Sequence, residues 1–320
     1  MAIRAIRKFR WVEGLFCVYK PPGVHWKLVR DRIETCILEG VNGTPSLAPR
    51  VGLLGPGGGR TDLTLTAGSL PPGVRLLGPG RGPTELTLSA SSLAAHPLVR
   101  GPEFRRIKVG VGHRLDASSS GVLVIGVGRG NKPLNDLYQM CCTRDYTLEG
   151  EFGFATDNFS RTGRIVERST YDHVTQDKLE KVLAMLQQAN QKALLIHSNV
   201  DMRSQEAYEM AVTGELGPQG KSPPILTGLR VTGFQPPFFT LELQCLNETQ
   251  RYLRKVVHEI GLELRSTASC TAVRRTRDGP FTVDQALTRG QWTAAQVALT
   301  IQHYNNSKRQ SRPLPAPAAL

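Results

Sequence analysis

The chain has 320 residues, 40% of them apolar, enough for one large domain or two small ones around a substantial core. Lysine and arginine outnumber aspartate and glutamate by 40 to 27, and the pI is near 9.8, a balance that attracts a polyanion through phosphate contacts. The six cysteines form no CxxC pair, and no histidine stands at ligand spacing from one, which argues against a disulfide framework and against a metal site. No uninterrupted apolar run approaches the length of a membrane span.

Four cations, Arg4, Arg7, Lys8 and Arg10, precede the first acid, Glu13. Ile3, Ile6 and Phe9 recur every third residue, so a helix here is amphipathic. Residues 1–13 are read either as a short mitochondrial presequence, implying the matrix, or as a basic arm that contacts RNA. The serines usual in a presequence are missing. Residues 14–304 are expected to form the main folded domain, opening with a strand, Leu15-Phe-Cys-Val-Tyr-Lys20, closed by the turn Pro21-Pro-Gly23.

Residues 36–105 read as an insertion holding a tandem repeat, 51–70 and 74–93. Each copy offers a short strand, Leu63-Thr-Leu65 and Leu86-Thr-Leu88, between Gly/Pro turns. One copy is expected on a sheet edge, and two are too few for a solenoid. Gly55-Pro-Gly-Gly-Gly59 lacks the GK[ST] of a phosphate cradle.

Beyond residue 107, strands and helices alternate. Val122–Val127 reads as a buried strand and Tyr146–Phe154 as an alternating one. Thr175 opens a helix with Leu179, Val182, Leu183 and Leu186 on one face, and Ser204 caps another that ends at Gly214. Leu229–Phe234 and Phe238–Cys245 flank Pro236-Pro237 as a hairpin. Gln250–Leu264 is a helix with Leu253, Val256, Val257 and Ile260 inward, and Thr271–Thr276 is a strand. The tail from Asn305, with Pro313, Pro315 and Pro317, is expected to be disordered. Hairpins and scattered helices indicate an α+β fold with a mixed, mostly antiparallel sheet, and the lack of GxGxxG argues against dinucleotide binding.

The richest segment is Gly112-His113-Arg114-Leu115-Asp116-Ala117-Ser118-Ser119-Ser120-Gly121-Val122-Leu123. Asp116 alone reads as a helix-capping or turn residue, but a carboxylate before a small-residue turn and a buried strand is also held firmly enough to act as nucleophile or base. Tyr146 stands at a strand start, where it is either an aromatic platform or a packed core residue. Arg254 lies in the first turns of a helix, either solvated or paired with Asp116 to keep it ionised.

Four blocks, Tyr19-Lys20-Pro-Pro-Gly23, Leu115–Leu123, Asp145-Tyr146, and Tyr252-Leu-Arg254 through to Phe281, resemble the signature motifs of the TruB-type pseudouridine synthases, most of all the family's animal mitochondrial branch. The resemblance implies the pseudouridine synthase fold with an RNA-binding cleft, uridine isomerisation by base flipping, and neither metal nor organic cofactor. It places Asp116, Tyr146 and Arg254 at catalytic positions. It implies substrate contacts for Lys20, His113, Arg114, Tyr252, Arg274 and Arg275. The implied partner is RNA, expected to be mitochondrial mRNA, tRNA or rRNA, with RNA-granule or ribosome-assembly proteins as further partners.

The pattern departs from the family's at two points. Val111 stands at the family's His position, and Ala117 replaces Pro. Gly112–Asp116 instead looks like the His-Arg-Leu-Asp block of RluA-type synthases, in which the Arg helps to extrude the base. About 40 residues follow Phe281, too few for the C-terminal PUA module of bacterial TruB enzymes. Three alternatives stay open: an RluA-type synthase, an RNA-binding scaffold of the same fold with little activity, and a basic binding module that does not engage RNA.

Overall fold

The computed structural model describes residues 10–43, 52–54, 60–62, 104–139, 142–198, 201, 204, 205, 208–210 and 222–310. In chain order they form β1 (Gly14–Lys20), α1 (Trp26–Gly43), β2 (Gly52–Leu54), β3 (Arg60–Asp62), β4 (Val109–Val111), β5 (Ser120–Val127) and α2 (Asn131–Gln139). There follow β6 (Arg144–Phe152), β7 (Phe154–Thr156), β8 (Ile165–Arg168), α3 (Gln176–Ser198), β9 (Ile225–Gln235) and β10 (Phe238–Leu246). The last elements are α4 (Gln250–Glu263), β11 (Ala268–Asp278), β12 (Phe281–Thr282) and α5 (Ala294–Gln310).

Eight of the described strands share one sheet, ordered β1-β5-β11-β6-β10-β9, with β4 beside β5 and β12 beside β11. Every pairing in it is antiparallel except β5 with β11. The expected mixed, mostly antiparallel α+β sheet is what the chain forms.

Burial explains the strand patterns. β1 and β5 are covered on both faces. Phe16, Val18, Leu123 and Ile125 pack against α1 and α5. Leu15, Cys17, Val122 and Val124 pack against Leu134 of α2 and Phe281 of β12. A strand buried on both sides reads as a continuous apolar run. β6 instead alternates, with Tyr146, Leu148 and Phe152 inward beneath α3 and α4. Thr249 caps α4, its hydroxyl accepting from the Tyr252 amide at 3.2 Å.

Several boundaries differ from the sequence reading. The insertion does not begin at Cys36, because α1 runs on to Gly43 with Val29, Ile33, Ile37 and Val41 buried at spacings of four. The ordered chain does not stop at Asn305, because α5 continues through Gln310, and no proline interrupts it before Pro313. Val12, placed in the leader or arm, is wholly buried in the α1–α5 core, and Glu13 pairs with Arg129 at 3.6 Å. β2 and β3, within the first repeat copy, pair with each other in a separate two-stranded sheet and not with the main sheet's edge. Residues 1–9, the strands at 63–65 and 86–88, most of 204–214 and the tail 311–320 lie outside the described residues.

Candidate active site

The Asp116 loop is built by the seam between β5 and β11, the sheet's parallel pair. There Arg274 and Arg275 register with Ser120 and Gly121. Gly121 has φ +111°, and a Cβ on it would lie 2.1 Å from the Arg275 carbonyl oxygen, so only glycine permits the approach. The small residues after Asp116 thus bring β11 against the loop's exit.

Three ties hold the loop in place. Lys20, 0% exposed at the end of β1, donates from Nζ to the carbonyls of Ala117 at 3.1 Å, Ser119 at 2.5 Å and Pro21 at 3.2 Å. Three donors meet three acceptors, which satisfies a buried ammonium. Burial pulls its pKa down to about 8, Asp116 opposing that fall and Arg275 adding to it. The Gly23 amide donates to the Ala117 carbonyl at 2.8 Å. The Ser119 hydroxyl donates to Gln250 Oε1 at 2.6 Å, fastening the loop to the start of α4.

Asp116 emerges from this clamp with its side chain 49% exposed. Arg254, on the second turn of α4, donates from Nη1 to Asp116 Oδ2 at 2.8 Å. A single guanidinium hydrogen bond holds one carboxylate oxygen of a half-exposed side chain. The Arg254 Nε is buried without a hydrogen-bond partner. Arg254→Ala should lower turnover by about tenfold, the lower end for losing a charge-assisted hydrogen bond, because Asp116 is half in water. Arg254→Lys should lose less, since it keeps the charge. Single-turnover rates would check this, and an unchanged rate in Arg254→Ala would remove Arg254 from the site.

Asp116 opens onto a cleft of about 670 Å³, lined also by His113, Arg114, Glu248, Gln250 and Arg251. Its floor is a buried polar network that the sequence reading did not identify. Glu248, in the turn between β10 and α4, accepts from Tyr146 Oη at 2.7 Å and from Arg144 Nη1 at 3.2 and 3.3 Å. Arg144 donates from Nε to Asp278 at 3.0 Å, and Arg275 lies 3.5 Å from the same carboxylate. The sheet register explains the pairing, since Arg144 faces Asp278 and Tyr146 faces Arg275 across β6 and β11. Burial works against the Arg144 charge, but Glu248 and Asp278 outweigh it and raise its pKa. Burial pushes the Tyr146 phenol well above its usual value, and Glu248 adds to the rise, so the phenol stays neutral.

His113 Nδ1 accepts from Arg275 Nη1 at 3.0 Å, and the His113 carbonyl accepts from Arg275 Nη2 at 2.7 Å. Burial first, then the Arg144 and Arg275 charges, lower its pKa to about 2, so the imidazole is neutral.

The structure therefore brings together Asp116, Arg254, His113 and Arg114, with Tyr146 buried beneath the cleft in the same core as Leu115. It corrects two expected RNA contacts. Arg275 is 0% exposed and donates to His113 and to the Val122 carbonyl at 2.8 Å, so it supports the loop from within. Lys20 is likewise enclosed and clamps the loop. Arg274 is exposed, its guanidinium 5.9 Å from the Tyr19 ring centre. Tyr252 is half-buried against the α3–α4 core, which raises its pKa to about 12. Among the described residues no cluster of three or more His, Cys, Asp or Glu side chains is placed to hold a metal ion.

Residues 102–251 match the family model described as "TruB family pseudouridylate synthase (N terminal domain)". The chain is 52% identical to "Pseudouridylate synthase TRUB2, mitochondrial" of Xenopus tropicalis, over 90% of this chain and 84% of that one. It is 51% identical to the Homo sapiens protein of the same name, over 89% and 82%. It is 34% identical to "Pseudouridylate synthase TRUB1" of Homo sapiens, over 62% of this chain and 56% of that one. The RluA-type alternative, drawn from the His-Arg-Leu-Asp block alone, gives way to this likeness. The chain belongs to the TruB family of pseudouridylate synthases.

Proposed function

We propose that this chain isomerises uridine to pseudouridine in mitochondrial RNA, with the Asp116 carboxylate as the reacting group. The carrying observation is the hydrogen bond of 2.8 Å from Arg254 to Asp116 at the mouth of a cleft in a strongly basic chain. The compartment is the one in the names of the relatives that match most of the chain.

The chemistry has three stages. The target base leaves its stack and enters the cleft, which costs a few kcal/mol. Its N1–C1′ bond breaks, with Asp116 acting on the sugar or the ring. The base then turns and joins C1′ through C5, C5 losing a proton and N1 gaining one, so the reaction is a balanced isomerisation. Arg254 holds and aims the Asp116 carboxylate through its Nη1 hydrogen bond. The fixed Tyr146 and neutral His113 supply a floor for the base. Residues 14–304, extended by the buried Val12 and by α5 through Gln310, act as the catalytic domain, and mRNA, tRNA or rRNA targets and any RNA-granule or ribosome-assembly partners rest on the family resemblance.

Two measurements test this reading. Mapping pseudouridine in mitochondrial transcripts after loss of the protein should show specific sites disappearing, and an unchanged map would refute it. RNA affinity should fall about a thousandfold between roughly 50 and 200 mM salt if about six phosphates are contacted. A salt-insensitive affinity would exclude a phosphate-tracking cleft.

A further inference from the structure

Beside the cleft, the start of α1 carries an aromatic and cationic patch to which the reaction above assigns no part. Trp26 is the first residue of α1 and half-buried, one side of it packed against the α1–α5 core. The Arg114 guanidinium lies 4.7 Å from its ring centre, with the Lys27 ammonium and the Arg30 guanidinium each at 5.8 Å. His25 adds a second ring, 5.4 Å from Trp26 at 34°. Arg30 is neutralised by Asp31 at 2.6 Å. Among the described residues, no ion pair engages Lys27 or Arg114, both exposed.

Position gives the patch its meaning. Arg114 is two residues from Asp116, and both line the cleft. Gly23, three residues before Trp26, is hydrogen-bonded to Ala117 in the Asp116 loop. The ring is thus tethered to the reacting loop from both sides. A base flipped into the cleft leaves its neighbours unstacked. A ring with cations on it offers a neighbour what the stack gave, a π-face and a charge for its phosphate.

The geometry points to a flanking-nucleotide subsite in which the base next to the flipped uridine stacks on Trp26 while Arg114 moves from the ring to the adjoining phosphate. This inference rests on the synthase reading, and it names which residues grip the RNA beside the target.

The test uses the full chain and a single-stranded RNA with a central uridine flanked by 2-aminopurine. Binding to the wild type should quench the 2-aminopurine fluorescence. Trp26→Ala should bind roughly tenfold more weakly and lose the quenching, while Trp26→Phe keeps most of both. Thermal unfolding of each variant runs in parallel. A folded Trp26→Ala with wild-type affinity and quenching would overturn the subsite. If Trp26→Ala does not fold, the same RNA with abasic flanks is titrated into the wild type, where roughly tenfold weaker binding is expected and unchanged affinity overturns the proposal. Release of tritium from uridine C5 in mitochondrial transcripts separates the two readings. Quenching without release sinks the isomerase and leaves the subsite. Release by a Trp26→Ala variant with wild-type affinity sinks the subsite alone.

Discussion

Asp116→Asn is expected to abolish pseudouridine formation while leaving RNA affinity nearly unchanged. Asparagine keeps the shape of the side chain and can still meet Arg254, but it lacks the charge needed to act as nucleophile or base. The loop itself should hold, because Lys20, Gly23 and Gln250 bind its backbone and Ser119, not the Asp116 side chain. Binding should hold because phosphate contacts supply most of it. Turnover and filter binding of the same preparation separate the two effects. Wild-type turnover in Asp116→Asn would remove the residue from the reaction.

The second large effect is on stability. Glu248 has a fully buried side chain and takes hydrogen bonds from Tyr146 and Arg144. Glu248→Ala leaves the Arg144 charge with Asp278, which Arg275 already shares, and strands the Tyr146 hydroxyl. Breaking a buried pair by removing one partner costs about 3–5 kcal/mol. Against a total stability of about 5–15 kcal/mol, the variant should unfold at a much lower urea concentration. Glu248→Gln should lose less, since it still accepts from Tyr146. A wild-type urea midpoint for Glu248→Ala would show that the network does not hold the cleft floor together.

Much of the scaffold was legible in the chain because its signals are local. The run Val122–Ile125 has no polar residue to place it half in water, and it became the doubly covered β5. Leu253, Val256, Val257 and Ile260 sit at helical spacing and became the inner face of α4. Asp116 and Arg254, 138 residues apart, were joined by their likeness to a family and not by any pattern of spacing. The misplaced RNA contacts have one cause, which is that burial of a polar side chain is decided by distant partners. Lys20 and Arg275 look like RNA ligands in a basic chain, yet a strand end and a parallel seam enclose them. Arg144 and Asp278 give no sequence signal at all, because their pairing exists only once β6 and β11 are in register, and Glu248 joins them only once β10 is paired with β6. Helix α1 was hidden by the glycine-rich texture that follows it, although Val29, Ile33, Ile37 and Val41 carried its period.

The most direct measurement concerns hydrogen at uridine C5, since joining C5 to C1′ must expel it. Purified protein is incubated with RNA carrying tritium at uridine C5, and released tritium is counted against pseudouridine found by mass spectrometry. Isomerisation through Asp116 requires release equal to the pseudouridine formed in the wild type, and neither in Asp116→Asn. RNA that binds to the wild-type cleft, including the natural mitochondrial transcripts, yet releases no tritium would contradict it.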